Sequence, residues 1–159
     1  GTYLFKALQT VKTTQLRRWD QILDYSRKNF FDKGYHPGEC KQFIKIIVCE
    51  AGGNKGMVRS SGDYAYNQIR RGMILQSSMP HTAIALTNYD PNLGVWVRDS
   101  NWEGGLGKHM VGGHYLTAKQ LKNSGFKGYW AKPGDFGLTD RILQIADSLR
   151  FANAFTVNR

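Results

Sequence analysis

The first third of the chain carries a helical pattern of hydrophobic and polar positions. Apolar residues recur every three or four positions, which predicts two helices before residue 34. These residues are Leu4, Phe5, Leu8 and Val11 in the first helix and Leu16, Trp19, Ile22 and Leu23 in the second, which Thr14 is placed to cap. After a turn-rich break at 34–38, a third and strongly apolar helix is expected over about 39–51, ended by Gly52 and Gly53.

The second half shows a different pattern, in which short apolar stretches alternate with turn residues. This pattern predicts an antiparallel sheet. The expected strands are 73–75, 81–86, 94–99, 108–116 and 126–131, with a short helix over 64–71, a helical turn over 117–122 and an amphipathic helix over 139–152. Helices followed by an antiparallel meander are typical of the α+β class. Since neither a repeat nor a linker interrupts the pattern, we expect one domain over 1–159.

Composition agrees with a folded chain. The 159 residues are enough to bury a core without a metal or a disulfide, and 41% hydrophobic against 21% charged residues excludes a disordered protein. No apolar run reaches the about 20 residues that cross a bilayer, so we expect no transmembrane segment.

The net charge of +10 favours anionic partners. The basic excess lies in 1–33 and 104–159, whereas 34–103 is nearly balanced. A dedicated nucleic-acid surface would concentrate the basic residues on one element or face, so we expect no specific nucleic-acid partner.

The two cysteines, Cys40 and Cys49, both fall in the third predicted helix. Nine residues of helix put them on opposite faces and about 13 Å apart, too far for a disulfide. We expect two free thiols, with Cys49 buried and inert. Cys40 opens the helix, where unpaired backbone N–H groups and the helix dipole stabilise a thiolate. It is a candidate nucleophile, although a cysteine in this position can also be inert.

Further polar residues stand where predicted strands begin or end. His81 opens an apolar strand, and Asp99 and Asn101 end the next one and alternate onto one face. An antiparallel neighbour could present His81 beside them, so that one ring nitrogen is fixed while the other serves the thiol. Alone, a histidine in this position would more often be a structural or surface residue, but the combination of His81 with Cys40 is far more specific.

No metal or cofactor motif accompanies these residues. His109 and His114 lie five apart in a predicted strand and therefore on opposite faces, which does not make a metal site. Neither a Cys-x-x-Cys nor a His-Glu-x-x-His spacing occurs, and the glycine-rich stretch 104–107 lacks the strand-loop-helix setting of a phosphate cradle. We expect no cofactor.

Three segments are similar to one known family. Gly-Glu-Cys-Lys-Gln-Phe at 38–43, Pro-His-Thr-Ala-Ile at 80–84 and Asp-Ser-Asn-Trp at 99–102 resemble the CHAP branch of the papain-like, NlpC-type cell-wall hydrolases. The resemblance covers about 35–131 as a catalytic core and leaves out an N-terminal helical segment, 1–34, and a C-terminal helical extension, 132–159. It implies a papain-like α+β fold with N-terminal helices packed on a small antiparallel sheet, plus an extra C-terminal helix.

The resemblance also implies roles for individual residues. Family members are cysteine amidases and peptidases that cut bacterial peptidoglycan, usually without a metal, so Cys40 would be the nucleophile and His81 the general base. Asp99 and Asn101 would orient the imidazole. The backbone N–H of Cys40 would stabilise the oxyanion, helped by Tyr35. Trp102 would line the substrate groove, with burial in the core as an equal alternative for that residue.

Two positions depart from the family pattern. Glu39 stands where members often carry glutamine, and its carboxylate would raise the thiol pKa and weaken oxyanion stabilisation. Asp99 stands where the acidic residue is commonly glutamate. The segment between Cys40 and His81 is also short, so the groove can differ in shape.

The expected function is hydrolysis of amide bonds in peptidoglycan by a secreted, periplasmic or cell-wall-associated enzyme. Its expected partners are peptidoglycan or another anionic cell-wall polymer and a protein inhibitor. Because the chain starts at Gly1 and its first methionine is Met57, a processed form or an excised segment is expected. Two alternatives stay open: a papain-like peptidase, transamidase or acyltransferase that acts on a protein substrate as an exported effector, and a catalytically inactive basic binding module.

Overall fold

The computed structural model describes residues 39–102 and 107–157, with side chains over 40–100, 102 and 112–147. The helices predicted before residue 34 lie outside these ranges, as does Tyr35. The described part contains α1 (Glu39–Glu50), α2 (Ala118–Asn123) and α3 (Phe136–Val157). Its strands are β1 (Tyr64–Ala65), β2 (Ile74–Ser77), β3 (His81–Ala85), β4 (Val95–Trp102), β5 (Gly107–Leu116) and β6 (Lys127–Tyr129).

The six strands form one antiparallel sheet with the order β1-β6-β2-β3-β4-β5. A tight connection joins β2 to β3, so that Ser77 pairs with His81. In the pairing of β4 with β5, Asp99 lies opposite Gly112 and Val97 lies opposite His114. Helices combined with an antiparallel sheet confirm the α+β class.

Apolar residues pack on both faces of the sheet because strand side chains alternate in direction. On one face, α1 and α3 cover Ile84 and Tyr129. On the other face, Ala83 and Val97 pack with residues of α2 and the loop after it. The larger members are Phe43, Ile47, Ile142 and Leu143 in the first cluster and Leu75, Leu116, Leu121 and Phe126 in the second. On the first of these faces, α1 contacts β3 and β4.

Hydrogen bonds from arginine side chains to backbone carbonyl groups help to hold α3 on the rest of the structure. The buried Arg98 of β4 donates from Nε to the carbonyl oxygen of Ala146 at 3.0 Å. Arg141 donates from Nε to the carbonyl oxygen of Ala51, just after α1, at 2.7 Å. Among the described helices, none is both long and apolar enough to cross a membrane.

Several predicted boundaries differ from the structure. The helix expected over 64–71 is wrong: Tyr64–Ala65 pairs with β6, and only a 3-10 turn, Tyr66–Gln68, follows. The reason is that this segment has no helical apolar stripe, while the free edge of β6 satisfies its backbone groups. The last helix begins three residues before the expected 139 and runs on to Val157.

Gly94 sets the start of β4. Its φ is +84°, and a Cβ added there would lie 1.9 Å from the carbonyl oxygen of Leu116, the partner of Val95 in β5. A side chain therefore does not fit without moving the paired backbone. Gly134 has almost the same φ, +83°, but no described atom lies within 4 Å of an added Cβ.

These two glycines separate backbone strain from steric conflict. We expect Gly134→Ala to lower the free energy of unfolding by about 1 kcal/mol, because only φ is strained. Gly94→Ala should cost roughly twice that or more, since the β4–β5 backbone must also shift. Urea denaturation of both variants measures the difference, and equal losses would contradict the close approach to Leu116.

Candidate active site

Cys40 is the second residue of α1, and its side chain is buried. The apolar residues Phe43, Ile44 and Ile47 hold the helix in the core, which fixes the position of its first turn. The Cys40 sulfur makes hydrogen bonds with the His81 side chain and with the backbone N–H groups of Lys41 and Thr82. The N–H of Lys41 belongs to the first turn of α1, and that of Thr82 belongs to β3.

His81 is the first residue of β3, and its ring is almost fully buried. Its Nε2 lies 2.7 Å from Oδ2 of Asp99 on the neighbouring strand β4. Because this contact occupies Nε2, Nδ1 is the ring nitrogen that serves Cys40. The structure therefore brings together three of the residues that the sequence singled out.

Asp99 lies on the same face of β4 as Val95 and Val97 and is only 2% exposed. Its Oδ2 is also 2.7 Å from Nε2 of His114 on β5. Two histidines from the strands on either side of β4 thus contact one buried carboxylate oxygen.

The contact of His114 with Asp99 was not predicted from the sequence. There His114 was considered only as a metal ligand, and it was set aside because it and His109, whose side chain is not among those described, lie on opposite faces of one predicted strand. The signal is the β4–β5 register, which pairs Val97 with His114 and so places the imidazole on the face of Asp99. Alternation along a strand divides its residues between two faces of the sheet. It does not show which residues of the adjacent strand lie beside them on each face.

The network sets the protonation states of its members. Burial raises the pKa of Cys40, but the hydrogen bond and positive charge of His81 and the backbone N–H groups outweigh it and hold the pKa below its usual value. Burial lowers the pKa of His81, yet bonds to Asp99 and Cys40 and their negative charges raise it to about 9. The two shifts are opposite in direction, so together they favour the thiolate–imidazolium pair over the neutral thiol and imidazole.

Asp99 stays ionised in the interior. Burial raises the pKa of its carboxyl group, but the hydrogen bonds and charges of His114 and His81 outweigh burial and lower it below the usual value. A buried carboxylate is expensive unless cations and N–H donors satisfy it. Asp99 meets that condition through two imidazoles.

Trp102 contacts the histidine ring. Its ring centroid lies 4.5 Å from that of His81, and Phe126 packs against the same imidazole at 6.3 Å. A register irregularity between Ser100 and Trp102 breaks the strand alternation, which explains why Trp102 lies on the same side as Asp99. The indole is partly exposed, and its N–H has no hydrogen-bond partner among the described residues. Trp102 thus borders the imidazole and also packs against the second core cluster, so its role as a groove residue stays a prediction.

The remaining predicted residues divide into two groups. Tyr35 and the side chains of Glu39 and Asn101 lie outside the described parts, so their expected roles stay predictions. Cys49 is described, and the expectation that it is buried is wrong, because it is an exposed free thiol. The buried stripe of α1 runs through Ile44, Ile47 and Val48, which leaves position 49 on the opposite side.

No group of three or more His, Cys, Asp or Glu side chains within the described parts is arranged to hold a metal ion.

The two cysteines allow an internal comparison of thiol reactivity. Iodoacetamide should alkylate Cys40 at least about tenfold faster than Cys49 at about pH 6, because His81 stabilises the Cys40 thiolate there. Mass spectrometry of digests over a range of pH measures both rates in one sample. In His81→Ala, Cys40 should lose this advantage. Equal rates for Cys40 and Cys49 in the unmodified protein would contradict the ion pair.

Comparisons with known proteins assign no family to the chain. A scan against protein-family models, a search of curated proteins and a search of solved structures each found no match. The function must therefore be argued from the geometry and chemistry of the site.

Proposed function

We propose that this protein is a cysteine hydrolase that cleaves amide bonds in bacterial peptidoglycan. The observation that carries the proposal is the contact of Cys40, at the start of a buried helix, with His81, whose second ring nitrogen is held by the buried Asp99. A nucleophile, its base and an orienting group stand in hydrogen-bonded order, which is the arrangement that acyl transfer through a thiol requires.

The proposed first step is attack of the Cys40 thiolate on an amide carbonyl carbon. The C–S bond forms, the carbonyl oxygen takes the negative charge, and the backbone N–H of Cys40, in the first turn of α1, would stabilise it. His81 then gives its Nδ1 proton to the departing nitrogen as the C–N bond breaks. The products are a thioester on Cys40, a free amine and a neutral imidazole.

Water completes the proposed cycle. Neutral His81 accepts a proton from a water molecule, and the oxygen of that water attacks the thioester carbonyl. The C–S bond breaks, a carboxylic acid leaves, and the thiolate and the imidazolium are restored. Asp99 keeps its hydrogen bond to Nε2 throughout, so the ring presents Nδ1 to the sulfur in both steps.

The arrangement of elements supports a papain-like fold within this proposal. A helix that begins with the nucleophile packs against antiparallel strands, of which β3 supplies the base and β4 the acid. In this view α3 is the C-terminal addition to the core, and it packs on α1. The helices predicted before residue 34 would be the N-terminal segment of the same fold.

Buried charge favours an enzyme over an inactive binding module. A thiolate, an imidazolium and a carboxylate cost free energy to place in the interior, and apolar residues would stabilise a purely structural core better. Proteins keep such groups mainly at functional sites. A binding module could retain the fold without this network.

The net charge of +10 supports an anionic polymer as the substrate. Attraction to the cell wall would raise the local enzyme concentration and fall as ionic strength rises. The resemblance of segments 38–43, 80–84 and 99–102 to cell-wall amidases points the same way. It also makes export, and control by a protein inhibitor, part of the proposal.

Removal of the thiol tests the catalytic claim. Cys40→Ala should lower the release of amines and carboxyl groups from purified peptidoglycan by at least about a thousandfold, because no thioester can form. Mass spectrometry of the released fragments identifies the bond that is cut.

The matched control is Cys49→Ala, which removes the exposed thiol of the same helix and should leave turnover unchanged. Cleavage of polypeptides but not of peptidoglycan would show that the substrate is a protein and would contradict the proposed substrate. Equal turnover in the Cys40 variant would end the proposal.

The rate of amide hydrolysis should show a bell-shaped dependence on pH. Activity requires the Cys40 thiolate, which is present above a lowered pKa, and the His81 imidazolium, which is lost as pH rises through about 9. Asp99→Asn removes a charge that raises the pKa of His81, so the alkaline limb should move to lower pH. Rate profiles of both proteins measure this shift, and an unmoved limb would contradict the role of Asp99.

A further inference from the structure

A fourth side chain joins the site, and the mechanism above does not use it. His114 of β5 places Nε2 at 2.7 Å from Oδ2 of Asp99, the same oxygen that contacts Nε2 of His81 at 2.7 Å. Its side chain is only 11% exposed. The carboxylate is therefore shared equally between an imidazole on each side.

The second ring nitrogen of His114 also faces an acceptor. Nδ1 lies 3.2 Å from the carbonyl oxygen of Tyr115. A carboxylate and a carbonyl can only accept, so a ring that bonds to both must carry a proton on both nitrogens, which is the imidazolium form. Trp102 lies parallel to this ring at a centroid distance of 6.0 Å and shields it from one side.

The four side chains form one hydrogen-bonded row. Starting at α1, the order is Cys40, His81, the carboxylate of Asp99 and His114. Other charged groups near this row are Lys41 on α1, whose Nζ donates to Ser60, and Arg98 on β4, whose Nε bonds to Ala146 on the opposite face of the sheet. Among the described residues, His114 is the second imidazole in direct contact with Asp99.

We propose that His114 is a positioning residue that shares Asp99 as a second imidazolium and thereby makes His81 a better proton donor. Without the second cation, the buried carboxylate would hold the His81 proton more tightly. With the imidazolium of His114 in place, Asp99 still has a positive counter-charge when His81 is neutral. The inference rests on the proposed function only for its effect on turnover.

His114 would assist the step that follows the attack of Cys40 on the amide carbonyl, in which the tetrahedral adduct breaks down. There the proton moves from Nδ1 of His81 to the departing nitrogen while the C–N bond breaks, which leaves Asp99 beside a neutral ring. The positive charge of His114 still faces Oδ2 at that moment. An Asp99 bonded to His81 alone would lose its only counter-charge in the same step.

Nuclear magnetic resonance of the unmodified protein tests the charge directly. In protein labelled with ¹⁵N-histidine, at about pH 7.5, both ring nitrogens of His114 should show the chemical shifts of protonated nitrogen. A lone pair on either nitrogen would overturn the proposal. This measurement requires neither a variant nor a substrate, so failure here leaves the proposed hydrolase untouched.

Two variants test the effect on His81. His114→Gln keeps an N–H donor for Asp99 but removes the charge, so the titration midpoint of His81, about 9 in the unmodified protein, should rise by about 1–2 pH units. His114→Lys restores a cation and should keep the midpoint near that of the unmodified protein. An unmoved or lowered midpoint in His114→Gln would contradict the shared carboxylate.

A neighbouring substitution controls for disturbance of the strand. Tyr115→Leu changes the exposed face of β5, where the tyrosine packs on Trp96, and should leave the His81 midpoint unchanged. A shift in this control as large as that in His114→Gln would assign the effect to strand packing and overturn the proposal. On peptidoglycan, the alkaline limb of His114→Gln should move in parallel with its midpoint.

Discussion

The site depends on one buried carboxylate. Asp99 is held in the interior of the sheet, where an uncompensated charge would be too costly, and two imidazoles at 2.7 Å compensate it. This requirement fixes the registers of β3 and β5 against β4 and turns the His81 ring so that its other nitrogen meets Cys40. The lowered pKa of Cys40, the raised pKa of His81 and the proposed chemistry all follow from that orientation.

Much of the fold could be predicted from the sequence. The apolar stripe of Phe43, Ile47 and Val48 predicted α1 almost to the residue, because tertiary packing agrees there with helical periodicity. The strand that begins at His81 and the strand that ends at Leu116 were predicted because turn residues bound their apolar runs. The segment 64–71 failed for the opposite reason: pairing with β6 decides its structure, and local propensity carries no information on that partner.

The site could be predicted only as far as chain order allows. Cys40, His81 and Asp99 were recognisable because each stands at the beginning or near the end of an element, where functional groups of neighbouring elements meet. His114 stands within a strand, and its role depends on its pairing with Val97, which no local pattern gives. Trp102 reaches the same side as Asp99 through a register irregularity that periodicity of two cannot express.

The proposed mechanism requires that the His81 imidazolium stabilises Cys40 as a thiolate. The most direct measurement is the pH titration of the Cys40 Cβ resonance in protein labelled with ¹³C-cysteine, with Cys49→Ala used to leave one signal. We expect a main midpoint below the usual thiol value of about 8.5 and a second, smaller inflection near 9 as His81 loses its proton. A single midpoint at or above the usual value would contradict the ion pair and with it the proposed mechanism.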